Sequence, residues 1–252
     1  MALVRIWGGR VSARVPVRAA RESRHCRQKR TGTFRKLAGF RTSRDIMAER
    51  RYGEPAPKTV ETIAGADWYG DELDRRRFQN TLFADLDLSE ARNTGCVFNE
   101  CTFRRARFNG SAHHSAAFVN CTFAACNFFD STFTECKFVG SMFDGCQFDS
   151  MQVVDGDWSF VGLPGADLRK ARFRGTRLRE ADLTGARCQD GSIREVDLSG
   201  AWLHGADFSN CDLRGSDLSA LEPANTQLGG AIITIDQTIV IARALGLDVR
   251  RK

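Results

Sequence analysis

The stretch Cys121–Phe148, CTFAACNFFDSTFTECKFVGSMFDGCQF, places phenylalanine at 123, 128, 133, 138, 143 and 148, with cysteine two residues before four of them. Helices repeat their apolar side every 3.6 residues and strands every two, so a period of five fits neither and marks an internal repeat. Followed from Phe78 to Ile233, the phase defines 32 sites; 29 are apolar if Cys188 is counted, and the exceptions are Asn93, His113 and Pro223. A chain that is 42% hydrophobic would put about 13 there at random. Two residues earlier, 28 of the 32 partner sites hold Ala, Cys, Ser, Thr, Gly or Val, against Arg76, Leu86, Met151 and Leu221. Trp68 and Leu73 carry the phase upstream, beside the poor partners Asp71 and Arg76, as a fraying first coil would.

Pentapeptides such as ADLRK, ARFRG, ADLTG, VDLSG, ADFSN, CDLRG and SDLSA resemble the pentapeptide-repeat family, whose pattern is A(D/N)LXX. The resemblance spans about two thirds of the chain. It implies an all-β, right-handed quadrilateral parallel β-helix of four pentapeptides per coil, about eight coils here. The pattern agrees with that fold, because one large and one small side chain in each five would point inward and the other three would meet water. Sites 20 residues apart then fall into four columns of like on like, for example Phe78, Phe98, Phe118 and Phe138. A single repeat cannot bury its own apolar side, so neighbouring coils must supply the core.

Seven of the nine cysteines (Cys96, Cys101, Cys121, Cys126, Cys136, Cys146 and Cys211) occupy the small inward site, where they read as small hydrophobes. Zinc-type CxxC spacing is absent. Cys101 and Cys121, like Cys126 and Cys146, would stack about 4.8 Å apart with parallel Cβ vectors, wider than the ~3.8 Å a bridge prefers, so reduced thiols are expected. No metal and no cofactor is expected. Asn93 and His113 are polar residues at large inward sites of one column, where the coil is expected to bulge into loops. In MQVVDGDWSFVGLPGADL, Met151 and Val161 overfill small sites while Gly156 makes room for Trp158.

The chain divides by composition. Residues 1–46 hold 13 Lys+Arg against two acids and show no clean apolar period; the rest is net negative within an overall charge of +6. Three readings of this extension stand: a nucleic-acid-binding arm, a transit peptide, or a segment upstream of a true start at Met47. Residues 47–67 read as a linker or N-terminal cap, 68–233 as the repeat solenoid and 234–252 as a C-terminal helix and tail. That helix is expected over 237–245, with Asp236 as N-cap, Ile235 and Val240 at staple spacing and Gly246 as the left-handed stop. Its apolar residues cover more than one face, so Ile239, Val240, Ile241, Leu245 and Leu247 are candidates for a homodimer contact. No apolar run reaches the roughly 20 residues of a membrane span, and a soluble, cytoplasmic protein is expected.

Four histidines and the absence of GxSxG, HExxH or a phosphate-cradling loop argue against an enzyme or a small-molecule substrate. Function then lies on the outer surface. The segments GGAIITIDQTIVIARALGL, GSAHHSAAFVNCTF and DGDWSFVGLPGADLRK resemble the MfpA and Qnr group within the family. That resemblance implies a homodimer, joined at its C-terminal ends, that presents a DNA-like surface to DNA gyrase, and in some members to topoisomerase IV, conferring fluoroquinolone resistance. Asp157, Asp197 and Asp217 recur in one outward column, Asp167 and Asp207 in a second, and Asp182 and Asp212 in the other two; these are the candidate partner-binding residues, although Asp before the central residue is also the repeat's consensus. A generic scaffold with another partner is the alternative, and direct nucleic-acid binding requires the basic extension.

Overall fold

The computed structural model describes residues 58–250. The three readings of residues 1–46 lie outside them. Residues 61–233 wind as a solenoid in which each pentapeptide forms one side of a square coil. Strands 20 residues apart pair in parallel, and three sides form sheets: five strands from Glu61–Ala64 to Met142–Asp144, seven from Glu72–Asp74 to Ser192–Arg194, and three from Arg77–Gln79 to Ala117–Val119. The remaining side is held by isolated parallel bridges such as Asp67↔Asp87 and Arg187↔Asp207. We call the side of Ile63 and Phe83 the first face; the second carries Trp68 and Leu88, the third Leu73 and Asn93, and the fourth Phe78 and Phe98.

The two inward positions are where the five-residue phase puts them. Phe83, Phe103 and Phe123 are wholly buried and stack between coils at ring separations of 4.9 Å and interplanar angles of 11° and 6°. Within a coil the next ring turns edge-on, as Phe118 does to Phe123 at 5.9 Å and 61°. Offset stacking along the axis and edge-to-face contact around it are the two favoured aromatic arrangements, each about 0.5–1.5 kcal/mol beyond area burial. The small site contributes more than volume. Cys121, Cys126, Cys136 and Cys146 donate from Sγ to the carbonyl of the large residue 23 positions earlier at 3.4 Å, and Ser141 and Ser216 do the same from Oγ at 2.8 Å. All eight described cysteines are thiols. Burial pushes Cys136 and Cys211 up to about 12, so they stay protonated.

The phase reaches further upstream than 68. Glu61–Ala64 already pairs in register with Thr81–Ala84, with Ile63 above Phe83, so the first coil includes residues assigned above to a linker. Asn93 and His113 do not bulge. They lie in regular strands at 1% and 2% exposure, and they satisfy each other: Asn93 Nδ2 meets His113 Nδ1 at 3.1 Å and Ser111 Oγ meets His113 Nε2 at 2.9 Å, while Ser111 Oγ donates to Phe108 O at 2.6 Å. This chain of bonds is consistent for a neutral imidazole protonated on Nε2, and burial lowers the pKa of His113 to about 3. The ring also stacks on Phe133 at 4.6 Å. A polar pair one coil apart therefore replaces two apolar residues without breaking the column.

Gly156 is required by backbone rather than by the indole of Trp158. Its φ is +87°, and a Cβ there would collide with the Cys136 carbonyl and lie 2.8 Å from Cys136 N. Met151 and Val161 are accommodated in their small sites at 1% exposure each.

The C-terminal helix spans Ile235–Ala244. Its N-cap is Thr234, not Asp236: Thr234 has the extended backbone a cap needs, and Gln237 three residues on completes a capping box. Asp236 instead lies in the first turn, and Ile235, 88% exposed, staples nothing. Gly246, at φ +81°, ends the helix with bonds from Gly246 N to Arg243 O and Leu247 N to Ala242 O, the Schellman pattern. Gln237 closes the open end of the solenoid, its Nε2 donating to Leu213 O at 2.8 Å and Ser216 O at 2.7 Å. Among the described residues no helix is long and apolar enough to cross a membrane.

Candidate functional interface

Outward side chains are those immediately before and after each large residue, and those at the corners two residues after it. The aspartates before the large residue have a local duty. Their Oδ1 accepts the backbone N–H two positions on, as in Asp182 from Thr184 N at 2.9 Å, Asp207 from Ser209 N at 2.9 Å and Asp217 from Ser219 N at 2.8 Å; Asp157, Asp167, Asp197 and Asp212 do likewise. An Asx-type bond of this kind offers the turn an acceptor where the ladder supplies none.

Four of these seven acids also meet arginine. Asp167 lies 2.7 Å from Arg169 and 2.8 Å from Arg187, and Asp212 lies 2.7 Å from Arg214 and 3.6 Å from Arg194. Asp157 and Asp197 have looser partners, Arg177 at 3.7 Å and Arg179 at 3.9 Å. The Arg169 guanidinium holds the Asp167 carboxyl down to about 2, and the bond from Arg214 lowers Asp212. Coil-to-coil stacking thus sets an arginine above or beside an aspartate, and the pair carries little net field. The structure spreads the seven over four faces and does not bring them into one patch.

The corners behave otherwise. From Arg75 to Asn210 nearly every corner residue has left-handed backbone, for instance Asn80 at φ 50°, Asp130 at 55° and Asp155 at 58°. Glycine, asparagine and aspartate tolerate this region best, but glutamate is also placed here, at 90, 100, 135, 180 and 195. Between Phe78 and Ile233 there are 20 acids and 14 bases; the corners hold nine of the acids and two of the bases, Arg105 and Lys170. The faces are left with eleven acids and twelve bases, so the negative charge of the solenoid resides on its long edges, and on three of the four, since the edge of Asp85 and Arg105 has no net charge. Asp130, Glu135 and Asp155 pair with no lysine or arginine among the described residues. Sequence reasoning from the consensus aspartate misses these edge acids; the signal that finds them is the same five-residue phase, read two positions later.

The third face departs from the rest. Arg172, Arg174, Arg194 and Arg214 make its C-terminal half basic, around a shallow groove lined by Asp130, Gln152, Lys170, Arg172, Asp190 and Asp212, among others. No histidine or cysteine lines it. Among the described residues no group of three or more His, Cys, Asp or Glu is placed to hold a metal ion.

At the C-terminal end, Ile241 packs against the core as part of the cap. The other dimer candidates face out: Ile239 and Val240 are 38% and 36% exposed, Leu245 and Leu247 60% and 59%. Ile232 and Ile235 are exposed as well.

Family models described as a pentapeptide repeat region match residues 96–173 and 126–203, and one described as pentapeptide repeats (8 copies) matches residues 192–220. No curated protein matches the chain. Among solved structures, a trypsin-treated point variant of QnrB1, described as a plasmid-mediated fluoroquinolone resistance protein, aligns with a TM-score of 0.59 at 22% identity, covering 77% of this chain and 97% of that one. A second trypsin-treated variant of QnrB1 aligns at 0.57 and 22%, covering 77% and 99%; full-length QnrB1 aligns at 0.53 and 21%, covering 75% and 99%. At these identities the likeness is one of fold.

Proposed function

The chain belongs to the pentapeptide-repeat family, and from that premise we propose that it is a non-enzymatic binding solenoid that occupies the DNA-binding surface of a type II topoisomerase, DNA gyrase, and so protects it from fluoroquinolones. The observation that carries this reading is the placement of charge. Acids run along the edges of a narrow square tube, as phosphates run along the ridges of a duplex, while its faces hold eleven acids against twelve bases.

Magnitude shapes the proposal. About eight coils at roughly 4.8 Å give a length of about 38 Å, over which a duplex carries about 22 negative charges at one per ~1.7 Å. The solenoid carries a net −6 between Phe78 and Ile233. Its likeness to DNA is therefore one of shape and charge position, and binding should saturate at lower ionic strength than DNA itself tolerates. The exposed apolar helix surface supports a homodimer through Ile239, Val240, Leu245 and Leu247, which would double the length of the charged edges.

Inhibition of gyrase supercoiling by the full-length chain tests the reading. Reversal of Asp130, Glu135 and Asp155 to lysine should relieve inhibition, whereas reversal of the face residues Asp157, Asp197 and Asp217 should relieve it less. A generic scaffold is favoured by one observation, that all seven consensus aspartates serve their own turns. It predicts no inhibition at micromolar protein.

A further inference from the structure

On the first face one outward column reads Met142, Gly162, Asp182, Trp202, each bridged to the next coil. Asp182 is only 8% exposed and accepts one bond, from Thr184 N at 2.9 Å. Of the other six consensus aspartates four are answered by arginine, as Arg177 answers Asp157 and Arg187 answers Asp167, and the two that are not, Asp207 and Asp217, are less buried than Asp182. Here the flanking coils offer glycine and tryptophan, and no lysine or arginine pairs with Asp182 among the described residues. One carboxylate oxygen accepts from Thr184 N and the other has no protein donor among the described residues, so the group can take a cation from outside.

Its surroundings have the chemistry of a cation receptor. Trp202, 61% exposed, lies one coil beyond Asp182. On the other side Met142 reaches along the column: a Cβ on Gly162 would collide with Met142 Sδ and Cε, so Gly162 exists to let the thioether lie flat there. Of the two adjoining edges, that of Gly165, Gly185 and Gly205 carries no side chains and leaves the approach open, while Phe160, Glu180 and Gly200 form the other. An indole face and a polarizable thioether flanking a carboxylate suit a guanidinium, which stacks on the ring while its fork meets the oxygens.

We propose that Met142, Asp182 and Trp202 form a seat for one arginine side chain of a basic protein partner. The inference rests on the proposed reading only in naming gyrase as a supplier of that arginine; the seat itself follows from the column. A tryptophan that is exposed beside an unpaired acid is the residue type that dominates interfaces once covered.

The test has two arms on the full-length chain. In isotope-labelled protein the indole N–H resonance of Trp202 is identified by its loss in Trp202→Phe, and the protein is titrated with a capped hexa-arginine peptide. The resonance should shift saturably, and Asp182→Asn, which keeps the acceptor for Thr184 N and hence the turn, should weaken the peptide at least about tenfold. No shift, or a titration unchanged by Asp182→Asn, overturns the proposal. In the second arm Trp202→Ala should weaken gyrase binding about 30-fold, the size of an interface hot spot. A normal peptide response together with no gyrase binding by the wild-type chain would retain the seat and reject gyrase as partner. Gyrase binding that is intact in both Trp202→Ala and Asp182→Asn would reject the seat as its contact.

Discussion

Acid should loosen this solenoid through one residue. His113 is fully buried, and burial takes its pKa to about 3. In the unfolded chain an imidazole takes up its proton near pH 6.5. Between those values the unfolded state binds one more proton than the folded state. The stability contributed by neutral His113 is therefore complete above about pH 6.5 and falls as pH falls, by about 1.4 kcal/mol per unit. From pH 7 to pH 4 the loss is about 3 kcal/mol. The perturbation that isolates it is Asn93→Leu with His113→Phe, which restores the apolar pattern of Leu73 and Phe133 in the same column. Urea unfolding of both proteins, followed by far-ultraviolet circular dichroism at a series of pH values, gives the difference in stability, in which the carboxylates common to both cancel. The difference should shift in favour of the double variant by about 3 kcal/mol between pH 7 and pH 4. Either single variant should be worse than both, because it leaves Asn93 Nδ2 or His113 Nδ1 without its partner, at about 1–3 kcal/mol. A difference that stays flat with pH would refute the reasoning, since it would mean that His113 takes its proton in the folded state as readily as in the unfolded.

Gly156→Ala should destabilise by about 2 kcal/mol or more in thermal unfolding, because a methyl group meets the Cys136 backbone at φ +87°, whereas Gly145→Ala, at φ +58° with open space around it, should cost about 1 kcal/mol. Gln237→Leu leaves the carbonyls of Leu213 and Ser216 without the amide that covers them, so hydrogen exchange should accelerate in the last coil, residues 213–233, while the first coils stay protected. Light scattering of Val240→Asp with Leu245→Asp should report half the mass of the wild-type chain; an unchanged mass removes the dimer. Ile241→Asp should instead lower the melting temperature, because Ile241 packs on the core.

The fold is legible in the sequence wherever one side chain alone decides direction. Phe78 to Ile233 point inward because the period of five leaves no other arrangement that buries them, and Gly246 ends the helix because its left-handed backbone needs glycine. Legibility fails where two residues decide together. Asn93 and His113 read as misfits singly but satisfy each other across 20 residues, a distance no local pattern spans. Asp236 reads as the cap while Thr234 is the cap, because a capping box is a relation between Thr234 and Gln237, not a property of either. The same holds at the interface. Asp157, Asp167, Asp197 and Asp212 look like free charges in sequence and are met by arginines one coil away or two residues on. The corner acids Asp130, Glu135 and Asp155, which meet no arginine among the described residues, match no consensus letter.

The claim that this solenoid takes the place of DNA is met most directly by competition. A fluorescently labelled duplex bound to gyrase should be released as the full-length chain is added. Its anisotropy should fall to the value of free DNA, with a potency that drops steeply as salt is raised and is lost when Asp130, Glu135 and Asp155 are reversed to lysine. A duplex that stays bound while the protein binds beside it, or release that is indifferent to those three acids, would contradict the account.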